Sequence, residues 1–324
     1  MTRRLRSDSG QALVITVIFM ICLLGGVALT LDVGSWYREH RQAQTTADAA
    51  ALAAAQFLPN TVTAKSAAQT YADDNGGSLD AVKGVDFSKS ILDNDTVTVH
   101  VTRTAPGFFS KLFKVDSVSV HAHAAARSDV PVAARWAAPI AVNKLHPMLS
   151  GVDVATNQQC PCFGPDHATT IPLGKTGAPG AFALVNLDDS INGAVGATTL
   201  GQWISKGFDG YLKLTDDGGD YLSDPGAKWN DGPIQNALQS RFGSDLLFPV
   251  YDTLTGSGSN AEYHVIGWVA FHLMSDASGG AVSGGGVSGS ITGYFTQVIW
   301  DGIQGSSGQS TGTDFGVHSI ELIQ

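Results

Sequence analysis

Cysteine is scarce, charge is sparse, and basic residues are the minority. The three cysteines, Cys22, Cys160 and Cys162, are too few for a disulfide scaffold. Charged residues are 15% of the chain against 43% hydrophobic, which predicts an ample core and no densely charged surface. In residues 1–60 five arginines face four acids, a balance of +1, whereas the remainder holds 14 basic residues against 25 acidic, −11. Nucleic-acid binding needs a basic surface to meet phosphates, so that partner class is excluded. Also missing are Gly-x-Ser-x-Gly and His-Glu-x-x-His. The Gly/Ser tracts at 279–289 and 302–312 lack the strand-loop-helix context of a phosphate cradle and read as loops. Cys162, Asp166 and His167 supply the residue types for hydrolysis, but so would most loops of this composition. The expectation is a protein that is not an enzyme and holds no cofactor and no metal.

One long uncharged run is present. Residues 12–31 read ALVITVIFMICLLGGVALTL, roughly 30 Å of helix at 1.5 Å per residue, the thickness of a bilayer core. Arg3, Arg4 and Arg6 precede it and Asp32 follows it. The positive-inside bias therefore predicts a single-pass anchor with a cytoplasmic N-terminus and an extracytoplasmic remainder. A cleavable signal would have a shorter apolar region and a small-x-small site, and Leu31-Asp32-Val33 is a poor one. Cys22, Gly26, Thr30 and Gly34 recur every four residues on one face, a stripe that lets another membrane helix approach closely. Small residues are also common in membrane helices generally.

Residues 33–58 hold no Pro and no Gly beyond Gly34, and are rich in helix formers. Trp36, His40, Ala43, Ala47, Ala50, Ala54 and Phe57 follow a four-three spacing, one helical face. Pro59-Asn60 ends the pattern. Anchor and stalk together predict a rod of roughly 70 Å, with Trp36 and Tyr37 at headgroup level. The alanine face packs on the protein's own globular part or on sister rods.

These residues carry a family pattern. Gly10-Gln11-Ala12-Leu13-Val14, the apolar run, and then LDVGSWYREHRQAQTTADAAALAAA over 31–55 resemble the N-terminal domain of TadG-like (TadE/TadG) Flp pilus-assembly proteins, over about residues 8–58. The resemblance implies a bacterial envelope protein whose partners are the membrane and other pilus-assembly or secretion proteins. It leaves the oligomeric state open. Two departures stand out. TadE-type precursors carry a Glu a few residues after a processed Gly, whereas the fifth residue after Gly10 is Ile15. The nearest approach to the Asp-x-Ser-x-Ser motif of a von Willebrand A module, found in many TadG-like proteins, is Asp188-Asp189-Ser190-Ile191-Asn192, which lacks the second Ser.

Beyond the stalk, residues 63–74 predict a short helix, residues 96–103 and 116–124 alternate as half-buried strands, and Phe108, Phe109, Leu112 and Phe113 predict a short amphipathic turn between them. His100, His121 and His123 read as an exposed polar face rather than a metal site, which would need further ligands. Asp129-Val130-Pro131 reads as a linker. From 130 on, short apolar runs at 139–142, 181–187, 246–251, 263–274, 290–300 and 315–323 alternate with turn clusters, suggesting a sandwich or irregular barrel. Two short helices are expected near 200–206 and 233–241.

Cys160-Pro161-Cys162 suits a local structural disulfide, with a metal half-site alongside His146 or His167, or a redox pair, as the alternatives. Asp216, Asp217, Asp220 and Asp224 are oxygen ligands in number but without ordered spacing. Trp203, Trp229, Trp268 and Trp300 are candidate contacts for a glycan or wall polymer, though aromatics more often fill cores. The fold class expected is α+β and membrane-anchored: a basic tail (1–11), a transmembrane helix (12–31), a stalk with a small pilin-like α/β unit (32–129) and a mainly-β domain (130–324). The function expected is a structural or assembly component of a Flp (Tad) pilus or related secretion apparatus. A cell-surface binding module is the alternative.

Overall fold

The computed structural model describes residues 9–90, 93–153, 158–173, 181–188, 194–214, 219–225, 228–275, 290–304 and 313–323. The chain forms two compact units, Met1–Arg127 with Glu321–Gln324, and Ser128–Ile320.

The first unit is built on one helix, α1, Ser9–Ala55. No proline interrupts its 47 residues, so the lipid-length run and the stalk are a single rod of roughly 70 Å. Its apolar window is not buried anywhere in the chain, while Ala43, Ala47, Ala50, Ala51 and Ala54 are fully buried. A second helix, α2 (Thr61–Asp74), is capped by Asn60, whose side chain accepts from the Thr63 N–H at 3.2 Å. Its Ala64, Ala68 and Ala72, spaced by four, make its buried face, and α2 packs along α1.

Four strands complete the unit: β1 (Ser78–Leu79), β2 (Val85–Ser88), β3 (Thr96–Pro106) and β4 (Ser117–Asp129). All pairings are antiparallel, with β1 and β2 on one side of β3 and β4 on the other. Val97, Val99 and Val101 alternate along β3 and are fully buried, and β3 packs against α1. Alanine on the helix and valine on the strand let the two backbones approach closely. Gly77 continues that fit: a Cβ there would lie 2.8 Å from Val101 Cγ1 and 3.2 Å from Thr46 Cγ2. The Ile323 N–H donates to the Ala125 carbonyl at 3.0 Å, tying the chain's last residues to β4.

The second unit is a seven-stranded sheet in which Asp245–Thr255 and Glu262–Met274 form the central hairpin. Gly219–Pro225 and then Ala181–Val185 extend it beyond the second hairpin strand, and Val142–Asn143 adds in parallel to the first. Ser290–Thr296 also pairs with the second hairpin strand and carries Thr169–Pro172 on its other edge. Two helices, Ala197–Lys206 and Gly232–Ser240, pack on each other at Gly201, where a Cβ would meet the Pro233 carbonyl oxygen at 2.7 Å. Their buried faces join one apolar cluster with Trp229, Phe248, Tyr263, Trp268, Phe271 and Phe295. A small sheet of Leu212–Lys213, Pro131–Ala134 and Gly302–Gln304 stands apart.

The overall class is α+β with a mostly-β second half. Three details differ from the sequence reading. In place of a sandwich or barrel there is a seven-stranded mixed sheet beside smaller ones, with two amphipathic helices in the core. The 129–131 stretch is no exposed linker: Asp129 closes β4, Pro131 opens the next strand, and Val130 between them is buried. The buried stalk face runs through Ser35, with Trp36 and Glu39 half-buried on either side; His40 is exposed, and so is Phe57 because α1 has ended at Ala55. The Gly/Ser tract at 279–289 lies outside the described residues, as does 305–312, whereas 302–304 is a strand.

Candidate interaction surface at the membrane junction

Asp32 is the first charged residue after the apolar run, and it is only 4% exposed although Leu31 and Val33 beside it are open. Its carboxylate accepts three backbone N–H groups from the β3–β4 connection: Phe108 at 2.7 Å, Phe109 at 3.1 Å and Ser110 at 2.6 Å. Burial alone would raise its pKa. The three amides and the Ser110 hydroxyl outweigh burial and hold it below the usual carboxylate value. The 3₁₀ turn Ser110–Phe113 follows directly.

Further along, a polar clamp joins the stalk to β3. Arg103 donates to Glu39 at 3.3 Å, to Gln42 at 3.3 Å and to the Asn75 carbonyl at 2.6 Å. Gln44 reaches from the same helix to the carbonyl of His123 on β4 at 3.0 Å. From Ala43 the alanine seam runs past these polar ties to Ala54. Every turn of the stalk is thereby committed to the chain's own small α/β layer, while residues 12–31 are exposed apart from half-buried Ala28.

Residues 10–56 match a family model described as putative Flp pilus-assembly TadE/G-like. The N-terminal helix is thus similar to TadE/G-like segments. The match ends one residue after α1 does and covers the lipid-length run and the stalk together. No curated protein and no solved structure matches the chain. Among the described residues, this TadE/G-like helix is the one long and apolar enough to cross a membrane.

Within the TadE/G-like helix, Cys22, Gly26, Thr30 and Gly34 face outward, and a Cβ on Gly26 or Gly34 would touch nothing within 4 Å. Thr30 satisfies its hydroxyl on the Gly26 carbonyl at 2.8 Å, so the stripe presents no unsatisfied donor to lipid. Ala43, Ala47, Ala50 and Ala54 all lie in the buried seam, whereas Trp36 is half-buried at its edge and Tyr37 is exposed.

The histidines beyond the helix are engaged with one another and with acids. His121 Nδ1 lies 3.0 Å from Asp80 and 3.1 Å from the Thr102 hydroxyl, and the His100 and His123 rings stack at 5.4 Å. They line a cavity of about 370 Å³ with Val82 and Lys83. Among the described residues, no three His, Cys, Asp or Glu side chains converge as a metal site. Asp80 is held far below the usual carboxylate range by the Lys83 and Val82 amides, and His100 is pushed down by burial.

In the second unit Cys160 and Cys162 are bridged, so the sulfur that a nucleophilic role would need is tied up. Trp203, Trp229 and Trp268 are buried in the core, and Trp300 donates its Nε1–H to the Arg135 carbonyl at 2.7 Å. None of the four projects as an open sugar platform. Asp220 pairs with His264 at 2.8 Å, and Asp224 with Lys228 at 2.5 Å and the Val195 N–H at 2.5 Å; Asp216, Asp217 and the 189–192 part of the Asp-x-Ser-x-Ser approach lie outside the described residues. An open cavity of about 480 Å³ is lined by Asn143, His146, Thr170, Ile171 and Tyr251, with His146 pushed down and Tyr251 pushed up by burial.

Asp32, Asp80 and Arg103 were not identified from sequence as positioning residues. Asp32 carried a usable signal, an acid directly after a lipid-length run. The side-chain partners of Arg103, and Thr102 and His121 beside Asp80, lie tens of residues away, so no local spacing announces them, although Asp80 also accepts from the nearby Val82 and Lys83 amides.

Proposed function

We propose that the chain is a membrane-anchored structural component of a Flp (Tad) type pilus or a related secretion apparatus. Its N-terminus is cytoplasmic and residues 32–324 are extracytoplasmic. The observation that carries this is the coincidence of the TadE/G-like match with a single helix whose first half is bare and whose second half is built into a folded unit. A bare lipid-length half needs a bilayer or another helix around it. The Gly26 face is free to supply such a contact, whereas the alanine seam is occupied by β3 and α2. Arg3, Arg4 and Arg6 before the run support the orientation.

A photo-crosslinker at Gly26, and another at exposed Arg38, should capture a pilus or secretion component in cells that express the whole apparatus. Capture of lipid alone from both positions would contradict the assembly role.

A second reading has one observation in its favour, the cavity between His146 and Tyr251, which is concave and mixed in polarity as small-ligand sites are. Under it the second unit binds a glycan or wall polymer. A glycan array probed with the full chain in detergent should then give a hit that Tyr251→Ala removes, and an array without hits ends this reading.

A further inference from the structure

The connection between β3 and β4 carries an apolar surface that the first unit leaves uncovered. Phe108, Phe109, Leu112, Phe113 and Val115 are all exposed, Leu112 at 87% and Phe113 at 79%. Lys111 and Lys114 are interleaved with them and also exposed. So many large apolar side chains on one short turn mark a contact rather than scatter.

The turn is preformed. The Gly107 N–H donates to the Asp116 carbonyl at 2.9 Å, and the Val115 N–H to that of Ser110 at 3.1 Å. A Cβ at Gly107 would come within 2.7 Å of the Val115 carbonyl oxygen, so the tight closure requires glycine.

Its position decides the occupant. Asp32 stands one residue beyond the apolar run and holds the Phe108, Phe109 and Ser110 amides at 2.6–3.1 Å. Helical side chains lean toward the helix N-terminus, so this carboxylate reaches back toward the lipid-length segment. The apolar turn is therefore fixed level with the end of that segment and not out along the stalk.

We propose that residues 107–115 are an interfacial foot. Phe108, Phe109, Leu112 and Phe113 enter the headgroup–acyl boundary of the same bilayer that α1 crosses, and Lys111 and Lys114 meet anionic lipid phosphates. Apolar and aromatic side chains interleaved with lysine are the composition of segments that lie in that layer. With α1 as one attachment and this foot as a second, the first unit is set at a fixed height and rotation on the membrane. The proposal rests on α1 being the anchor.

The test uses the full chain with Cys22→Ser, reconstituted in vesicles of phosphatidylcholine and phosphatidylglycerol. A nitroxide is placed in turn at Leu112→Cys, Val17→Cys and Val82→Cys, all exposed positions that tolerate a label. Collision with oxygen, which concentrates in lipid, is compared with collision with a water-soluble nickel chelate. The oxygen-to-nickel ratio at Leu112 should approach that at Val17 and exceed that at Val82 severalfold. Lys111→Glu with Lys114→Glu should lower it. A lipid-like Val17 with Leu112 no different from Val82 overturns the foot while leaving the anchor standing, and points the apolar turn to a protein partner. A watery Val17 removes the anchor and the foot together.

Discussion

Asp32 joins two parts of the chain that are 76 to 78 residues apart in sequence, and it does so through three backbone donors that only an ionised carboxylate accommodates so fully. Asp80 does the same locally, accepting from Val82 at 2.9 Å and Lys83 at 3.0 Å. Both pKa values lie below that of the unfolded chain, about 4. The unfolded state thus binds more protons as pH falls, and the stability these acids supply is present above about pH 4 and lost below it. His100, also lowered, begins the loss earlier, below about pH 6.5. Hydrogen exchange on the full chain in micelles should show first-unit amides weakening in those two stages on acidification. Asp32→Asn with Asp80→Asn should flatten the lower stage; an unchanged lower stage would contradict the assignment. Asp224 is the counterpart in the second unit. Burial raises its pKa, yet its carboxylate is the partner of the Lys228 ammonium and the Val195 amide. Asp224→Ala would strand both and should cost about 3–5 kcal/mol in chemical denaturation.

The helix α1 has two solvents. Its first half is apolar on every face; its second half buries a stripe of alanines against valines of β3 and alanines of α2. Close packing of this kind leaves no volume to spare, so Ala47→Leu should destabilise the first unit by about 1–3 kcal/mol. Thr45→Leu, two residues away and exposed, should stay within about 0.5 kcal/mol. Equal effects at the two positions in thermal unfolding would show that the seam is not tight. Most of this element was legible in the sequence, because an uncharged run and four-three alanine spacing are local signals. Which line of the stalk is buried was less so: Trp36 and His40 outrank Ser35 and Glu39 in apolar character. Glu39 is drawn inward by Arg103, and Ser35 lies on the same side. In the second unit the apolar runs at 181–187, 246–251, 263–274 and 290–300 announced strands by composition, whereas Thr169–Pro172 and Gly219–Pro225 carry no such run. Their joining into a mixed seven-stranded sheet was not legible, because the parallel pairing of Val142–Asn143 with Val250–Tyr251 has no local sequence mark.

At the scale of the whole molecule, a bare helical half and two folded units share one chain, and the family match spans only the helix. The assembly role therefore depends on that helix remaining attached. A TadE/G-like segment cut away after the membrane would release both units and leave the Gly26 face without a function. N-terminal sequencing and intact mass of the protein recovered from carbonate-washed membranes test this directly. The expected product is a membrane-retained chain that still contains residues 12–31. A chain found free in the medium and beginning after Leu31 would contradict it.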